Sequence, residues 1–317
     1  MRRNMISAAL LLLLLLCLLL SGCGADMPLN GGASLQMMQS GSVPKADFVP
    51  YEAPPMPEVV FHPELAEGNS QVKIDLSSVS EGYFAVSATS DTRLKLQVLV
   101  GELTYTYNLQ SDGTPSFLPL QCGNGRYAFR VMENISENKY AQIYRTECDV
   151  TLKDEFQPFI RTNDYSRYDE NSECVKKAGD LASRCSGKME LISQVYAFVC
   201  KNIRYDEVKA ATVQSGYMPD VDETLRTGKG ICFDYASLAA AMLRSQGIPT
   251  KIIFGYVAPD DLYHAWNMFY TEESGWVTVS FEVSADEWTR MDLTFSAGGA
   301  PAEFIGDGSH YTDVYSY

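Results

Sequence analysis

The stretch Thr227-Gly-Lys-Gly-Ile-Cys-Phe-Asp-Tyr-Ala236 decides the fold of the C-terminal half of the chain. It runs from a glycine-rich turn into a helix with an apolar face, and that helix ends at Gly247. Cys232 therefore lies at a helix N-terminus. There, unpaired backbone N–H groups and the positive end of the helix dipole are expected to lower the pKa of the thiol and to stabilise an oxyanion.

Two later segments supply the groups that a nucleophilic thiol requires. His264-Ala-Trp266 begins an apolar-patterned strand, and Asp292 lies in a second strand-like stretch over residues 288–295. The other two histidines are His62, in a proline-rich segment, and His310, in the C-terminal tail, so His264 is the candidate base. Cysteine, histidine and aspartate in this order suit acyl transfer, in which histidine takes the thiol proton and aspartate orients the imidazole.

These segments resemble the core of the transglutaminase-like superfamily. The matching residues are Gly230-Ile-Cys-x-x-Tyr-Ala, Leu243-Arg-Ser-Gln-Gly-Ile-Pro, Gly255-Tyr, His264-Ala-Trp and Asp292-x-Thr-Phe, and the resemblance covers about residues 175–300. It implies a papain-like α+β fold in which Cys232 is the nucleophile, His264 the base and Asp292 the orienting acid. It is strongest to lipid-anchored bacterial members that place a β-rich region before the core.

The chain departs from the family pattern at the third catalytic position. In the family the histidine and the acid often lie about 16 residues apart within one hairpin, whereas the corresponding residue here is Ser280. We assign the acid to Asp292 by assuming an additional strand pair. The alternatives are Ser280, Glu282 or Asp286 as the third member, or a site that lacks it.

Three further residues are candidates for the substrate cleft. Gly230 would let a substrate backbone approach closely, and Tyr205 and Trp266 could form the cleft walls. Tyr205 could equally mark a helix end, and Trp266 could equally fill the core. Neither zinc-ligand nor EF-hand spacing occurs in the sequence, so we expect no metal and no cofactor.

The N-terminus resembles a bacterial lipoprotein signal over residues 1–22. Arg2 and Arg3 precede an apolar run over residues 5–20, which would span about 24 Å and is too short for a bilayer core of about 30 Å. The run ends in Leu20-Ser-Gly-Cys23, similar to a lipobox, in which Cys23 becomes lipid-modified; the alternative is an ordinary signal peptide. Either signal predicts export, and the lipobox predicts anchoring to the outer face of the cell membrane.

Composition divides the rest of the chain. Residues 23–70 contain seven of the 14 prolines and predict a flexible linker. Residues 71–155 consist of short alternating runs between glycine turns, which predict a small all-β, Ig-like sandwich. Residues 165–317 form the transglutaminase-like domain, so the fold class is α+β.

The remaining cysteines predict one disulfide. A hairpin centred on residue 135 would bring Cys122 near Cys148, and export would permit their oxidation, unless the register slips. Cys174 could pair with Cys185 only if the helix between them is broken. Cys200 is expected to be a buried free thiol.

Charge and motifs together narrow the function. The chain carries 40 acidic and 25 basic residues, for a formal net charge of −15, and no basic stripe, so nucleic acid is not an expected partner. The predicted function is a surface-anchored thiol acyl-transfer enzyme that acts on amide bonds of proteins or cell-wall peptides, as a peptidase, amidase or transglutaminase. The alternative is a catalytically inactive binding or scaffold module at the cell surface.

Overall fold

The computed structural model describes residues 48–257, 262–282, 290–294 and 311–317. The predicted signal peptide, the lipidation candidate Cys23, Asp286, Trp288 and His310 lie outside the described residues. For Asp292 the structure describes the strand but not the side chain.

Eight antiparallel strands form a β-sandwich at the N-terminal side. The first sheet has the strand order β1-β2-β3-β6 and the second has the order β5-β4-β7-β8. The strands are β1 (Glu67–Gly68), β2 (Val72–Asp75), β3 (Tyr83–Ala88), β4 (Leu94–Val100), β5 (Leu103–Leu109), β6 (Ser116–Pro119), β7 (Gly125–Ser136) and β8 (Lys139–Val150). Alternating side chains point inward, and Phe84 of the first sheet meets Phe129 of the second with 4.7 Å between ring centroids. The predicted β-rich region before an α+β core is confirmed.

In the described residues, the C-terminal side combines five helices with a third antiparallel sheet. The helices are α1 (Glu173–Ala182), α2 (Lys188–Asn202), α3 (Glu207–Thr212), α4 (Val221–Thr227) and α5 (Cys232–Arg244). The strands are β9 (Arg204–Tyr205), β10 (Lys229–Gly230), β11 (Thr250–Val257), β12 (Leu262–Thr271), β13 (Gly275–Glu282), β14 (Arg290–Thr294) and β15 (Tyr311–Ser316). Strands β9 and β10 form a short parallel pair, and the other five have the order β14-β13-β12-β11-β15.

Helix α5 is the centre of this half, because every residue after Cys232 in it is buried. One side of the helix, with Phe233 and Ala236, joins an apolar cluster that also contains strands of the sandwich. The other side, with Tyr235 and Leu238, joins a cluster formed with helices α1 and α2. The described residues from 48 onward therefore form one compact unit, in which the two predicted domains share an apolar cluster.

Part of the predicted linker lies against the protein. The backbone N–H of Tyr51 donates to the carbonyl of Cys185 at 2.7 Å, and the Tyr51 hydroxyl donates to the carbonyl of Gln246 at 2.7 Å. Pro54 packs so closely on Gly247 that a Cβ there would lie 2.2 Å from its ring. This part of the segment is not the flexible tether that its composition predicts, because prolines lower the entropy lost on ordering and Tyr51 supplies two hydrogen bonds.

The β7–β8 hairpin differs in register from the prediction. Tyr127, rather than Cys122, lies opposite Cys148, and two irregularities shift the ladder after Val131 and after Asn134. The two shifts cancel, because Tyr127 with Cys148 and Ser136 with Lys139 have the same sum of residue numbers. The prediction failed because the turn lies at residues 137–138 and not at residue 135. The six cysteines from Cys122 to Cys232 are free thiols in the structure, so the predicted Cys122–Cys148 disulfide is not formed there.

A fully buried guanidinium joins the end of α5 to its surroundings. Arg244 Nε donates to the Thr250 carbonyl at 2.8 Å, Nη1 to the Arg161 carbonyl at 3.2 Å and Nη2 to the Tyr317 carbonyl at 2.9 Å. Burial lowers the pKa of Arg244 to about 10, so the side chain still carries its charge at neutral pH.

Within the described residues, no helix is both long enough and apolar enough to cross a bilayer.

We predict that Arg244→Met lowers the free energy of unfolding by about 3 kcal/mol or more, because it leaves buried carbonyls without donors. Urea unfolding followed by tryptophan fluorescence measures this. The matched control is Arg226→Met, which removes an arginine whose exposed side chain pairs with Glu223 on α4 and should change stability by less than about 1 kcal/mol. Equal losses in the two variants would contradict the structural role of Arg244.

Candidate active site

Cys232 is the first residue of α5, and the preceding turn is fixed by backbone contacts. Gly228 adopts a left-handed conformation with φ 63° and ends α4. Strand β10 then pairs with β9, where the N–H of Arg204 donates to the Gly228 carbonyl and the N–H of Asp206 donates to the Gly230 carbonyl, each at 2.9 Å. The glycine-rich sequence thus forms a tight connection that delivers the cysteine to the helix N-terminus.

The thiol lies in the wall of a cleft of about 1660 Å³, and His264 lies in the same wall. His264 is on β12, opposite Gly255 of β11. The backbone N–H of Ala265, the next residue, donates to the Cys232 thiol. The structure therefore brings together the predicted nucleophile and the predicted base, which belong to different elements.

Burial raises the pKa of the Cys232 thiol, while hydrogen bonds from the backbone N–H groups of Ala265 and Phe233 lower it and the negative charge of Asp234 raises it. The net direction is upward, whereas the sequence predicted a lowered pKa from the helix N-terminus. The prediction was wrong because it counted the helix dipole and omitted the desolvation of a thiol inside the cleft wall. Desolvation in the cleft wall therefore disfavours the thiolate form of Cys232.

The third predicted member, Asp292, lies two strands away from His264. Asp292 on β14 pairs with Ser280 on β13, and β13 lies between β12 and β14. Adjacent strands are separated by about 4.8 Å, so the backbones of β12 and β14 are about 10 Å apart. Ser280 and Glu282 are on β13, the strand next to that of His264. The role of Asp292 stays a prediction.

The candidate cleft residues separate into two kinds. Tyr205 lines the cleft. Trp266 is fully buried in the core, and its ring stacks at 6.5 Å from that of His264. Gly230 packs against α5, where a Cβ would lie 2.6 Å from the Cβ of Asp234. Gly230 is therefore required for close approach to the helix, and substrate contact has no support from its position.

The cleft changes character along its length. Near the thiol its walls are aromatic, and Phe233 and Phe254 meet edge to face with 4.8 Å between centroids. At the other end the walls come from the sandwich and include Lys95, Thr106 and Asn108. Such a cleft has room for an extended chain with an apolar group next to Cys232. The described residues contain no group of three His, Cys, Asp or Glu side chains arranged to hold a metal ion.

Sequence reasoning missed a buried carboxylate next to the nucleophile. Asp234 is fully buried and accepts hydrogen bonds from the Ile231 N–H at 2.7 Å and the Tyr217 hydroxyl at 2.5 Å. It also forms an ion pair with Lys209 Nζ at 2.8 Å. The available signal was an acidic residue three positions after the helix N-cap, which is half of a capping box.

Comparison with known proteins agrees with this geometry. Residues 176–281 match the profile of the transglutaminase-like superfamily. Over 81 residues the chain is 32% identical to the UPF0252 protein MJ1282 of Methanocaldococcus jannaschii, a match that covers 23% of each protein. The chain thus spans about a quarter of the length of this relative.

Two solved structures illustrate the structural likeness. A candidate cysteine protease from Cytophaga hutchinsonii is 18% identical, with 61% of this chain and 68% of that chain covered and a TM-score of 0.36. The periplasmic domain of TgpA from Pseudomonas aeruginosa is 16% identical, with 68% of this chain and 93% of that chain covered and a TM-score of 0.33. Residues 176–281 therefore resemble the transglutaminase-like superfamily, and this likeness rests on the profile match and not on the two solved structures.

Proposed function

We propose that the protein is a thiol acyl-transfer enzyme that acts on amide bonds of proteins or cell-wall peptides through a thioester on Cys232. The observation that carries the proposal is that Cys232 and His264 line one cleft, with the N–H of Ala265 directed at the thiol. A lipobox-like Cys23 supports a further proposal, that the enzyme is anchored to the outer face of the membrane.

In the proposed reaction, His264 takes the thiol proton as the sulfur attacks the substrate carbonyl carbon. The C–N bond then breaks, and the amine leaves with the proton from His264. Backbone N–H groups at the start of α5 would stabilise the oxyanion. Water or an amine then attacks the thioester, which gives a carboxylic acid or a new amide and restores the thiol. Because burial disfavours the thiolate, proton transfer to His264 accompanies the attack.

One observation favours the alternative function, an inactive binding or scaffold module. Ser280 stands at the position where the family pattern has its acid, and the strand that carries it lies next to that of His264. A site without an orienting acid would retain the cleft and lose most of the catalysis.

We predict that Cys232→Ala abolishes amide turnover and that His264→Ala lowers kcat by roughly 10²-fold or more, because the proton no longer has an acceptor. The assay measures release of amine from cell-wall peptides and unfolded proteins, with and without added primary amine, by mass spectrometry. Cys148→Ala, which changes a half-buried cysteine of the sandwich, should retain activity. Turnover that survives Cys232→Ala would refute the nucleophile, and absence of turnover in the unaltered protein would favour the binding module.

We predict that the rate of Cys232 alkylation by iodoacetamide keeps rising with pH above the pH at which the rate for an ordinary thiol levels off. The thiolate is the reactive form, and burial raises the pKa of Cys232, so the rate should not reach a plateau between about pH 6 and 8. Mass mapping measures the rate, with the same cysteine in the urea-unfolded chain as the control, whose profile should lie at lower pH. A plateau near neutral pH would instead mean a preformed thiolate–imidazolium pair.

We predict that Asp292→Asn lowers kcat by roughly 10³-fold with little change in KM, because the amide keeps the shape of the carboxylate and removes the charge that stabilises the imidazolium. Ser280→Ala and Glu282→Gln, measured in the same amide assay, are the matched controls and should stay within a few fold of the unaltered protein. If either of these two variants shows the large loss instead, the third catalytic position belongs to that residue.

A further inference from the structure

The buried carboxylate of Asp234 connects three separate parts of the chain. Its Oδ2 atom accepts from the N–H of Ile231 at 2.7 Å and pairs with Lys209 Nζ at 2.8 Å. Its Oδ1 atom accepts from the Tyr217 hydroxyl at 2.5 Å. Ile231 belongs to the turn before Cys232, Lys209 to helix α3 and Tyr217 to the loop between α3 and α4. The mechanism proposed above uses none of these groups.

Residues 206–220, which we term the cleft-wall segment, form one side of the cleft. Val213, Gln214, Ser215 and Tyr217 are among the residues of this segment that line it. The segment is exposed on its other side, where Val208 is 75% exposed. A short helix with little buried surface has little stability of its own. The contacts of the segment with Asp234 therefore help to fix the position of this cleft wall.

Aromatic packing makes the same connection. Lys209 Nζ lies 4.4 Å from the centre of the Tyr217 ring. The Tyr217 ring meets Phe233, the residue after Cys232, edge to face at 6.3 Å. The segment therefore contacts the two residues that follow the nucleophile on α5, Phe233 through rings and Asp234 through an ion pair and a hydrogen bond.

We propose that Asp234 is a positioning residue that couples the nucleophile turn at Cys232 to the cleft-wall segment. The proposal deepens the function proposed above and rests on it. When the segment is in place, Lys209 neutralises the carboxylate two residues from the thiol. When the segment moves away, the carboxylate is left uncompensated beside Cys232 and disfavours the thiolate. Occupation of the cleft and reactivity of the thiol are thereby linked.

Charges around the thiol support the proposal that the thiolate is disfavoured when Lys209 no longer pairs with Asp234. Asp234 on the same helix raises the pKa of Cys232, and a cation within contact of that carboxylate opposes its effect. The other titratable groups near the thiol are His264 and Tyr263 on β12 and Tyr205 on β9. None of these three is altered by a change at Lys209 or Tyr217, so the effect of the segment can be measured separately.

The test is the pH profile of Cys232 alkylation by iodoacetamide in the full chain. Lys209→Met should shift the profile upward by about half a pH unit or more, because it removes the cation and keeps the carboxylate. Asp234→Asn should shift it downward. The double variant should return close to the unaltered profile, since both charges are then absent. Compensation of this kind is not expected from a residue that only stabilises the fold.

Tyr217→Phe tests the position of the wall without changing charge. It removes one hydrogen bond and keeps the ring, so the cleft wall is held less firmly and KM for a peptide amide substrate should rise at least about threefold. The alkylation profile should shift upward by less than in Lys209→Met, because the loosened segment holds Lys209 less closely to Asp234. Hydrogen exchange of amides 207–219 should accelerate in parallel.

The matched control for the charge change is Asp222→Asn, which removes a carboxylate that accepts from the N–H groups of Glu173 and Cys174 and lies outside the cleft. It should leave both readouts unchanged. The proposal is overturned if Lys209→Met and Asp234→Asn shift the alkylation profile in the same direction or not at all. Should Asp234→Asn fail to fold, the upward shift in Lys209→Met decides alone. Alkylation needs no substrate, so this outcome is separate from any failure to find amide turnover.

Discussion

Burial of α5 on every side is the constraint from which the rest of the C-terminal half follows. A helix surrounded by protein can keep polar side chains only where each finds a partner. Ser237 Oγ donates to the Tyr165 carbonyl at 2.7 Å, while Asn267 from β12 donates to the Ala236 carbonyl at 3.0 Å. Together with Asp234 and Arg244, these groups bind successive turns of the helix to different neighbours. These contacts fix the rotation of α5 about its axis and its position along that axis relative to the sheet. The position of Cys232 relative to β12 is a result of that fit.

The same burial sets the chemistry at the end of the helix. A helix N-terminus exposed to water would favour a thiolate, but here the first turn is enclosed by the cleft wall, and desolvation outweighs the backbone N–H groups. Any reaction of this thiol must overcome that desolvation, and His264 lies in the same wall.

Sequence patterns predicted the elements that depend on neighbours close in the chain. The helix at Cys232, the β-rich region and the meeting of Cys232 with His264 follow from turn glycines, apolar periodicity and the quoted motifs. Features that depend on distant partners were not predictable in this way. The pKa of Cys232 depends on walls supplied by other elements, and the position of Tyr51 depends on carbonyls more than 100 residues away. From the sequence, Trp266 could form a cleft wall or fill the core, and only its packing in the structure places it in the core.

The third catalytic position shows how a sheet can relocate a functional group. In a single hairpin the acid would sit on the strand beside the histidine, which here is β13 and carries Ser280. The family match ends at residue 281, so β14 lies outside the matched region. Register pairs Asp292 directly with Ser280, which means that the two residues occupy the same level of the sheet, one strand apart. Under the proposed function, an acid at Asp292 would act on the imidazolium of His264 through space, since unit charges interact over about 10 Å when the region between them excludes water. Electrostatic stabilisation of an imidazolium can therefore survive such a move even where a direct hydrogen bond does not.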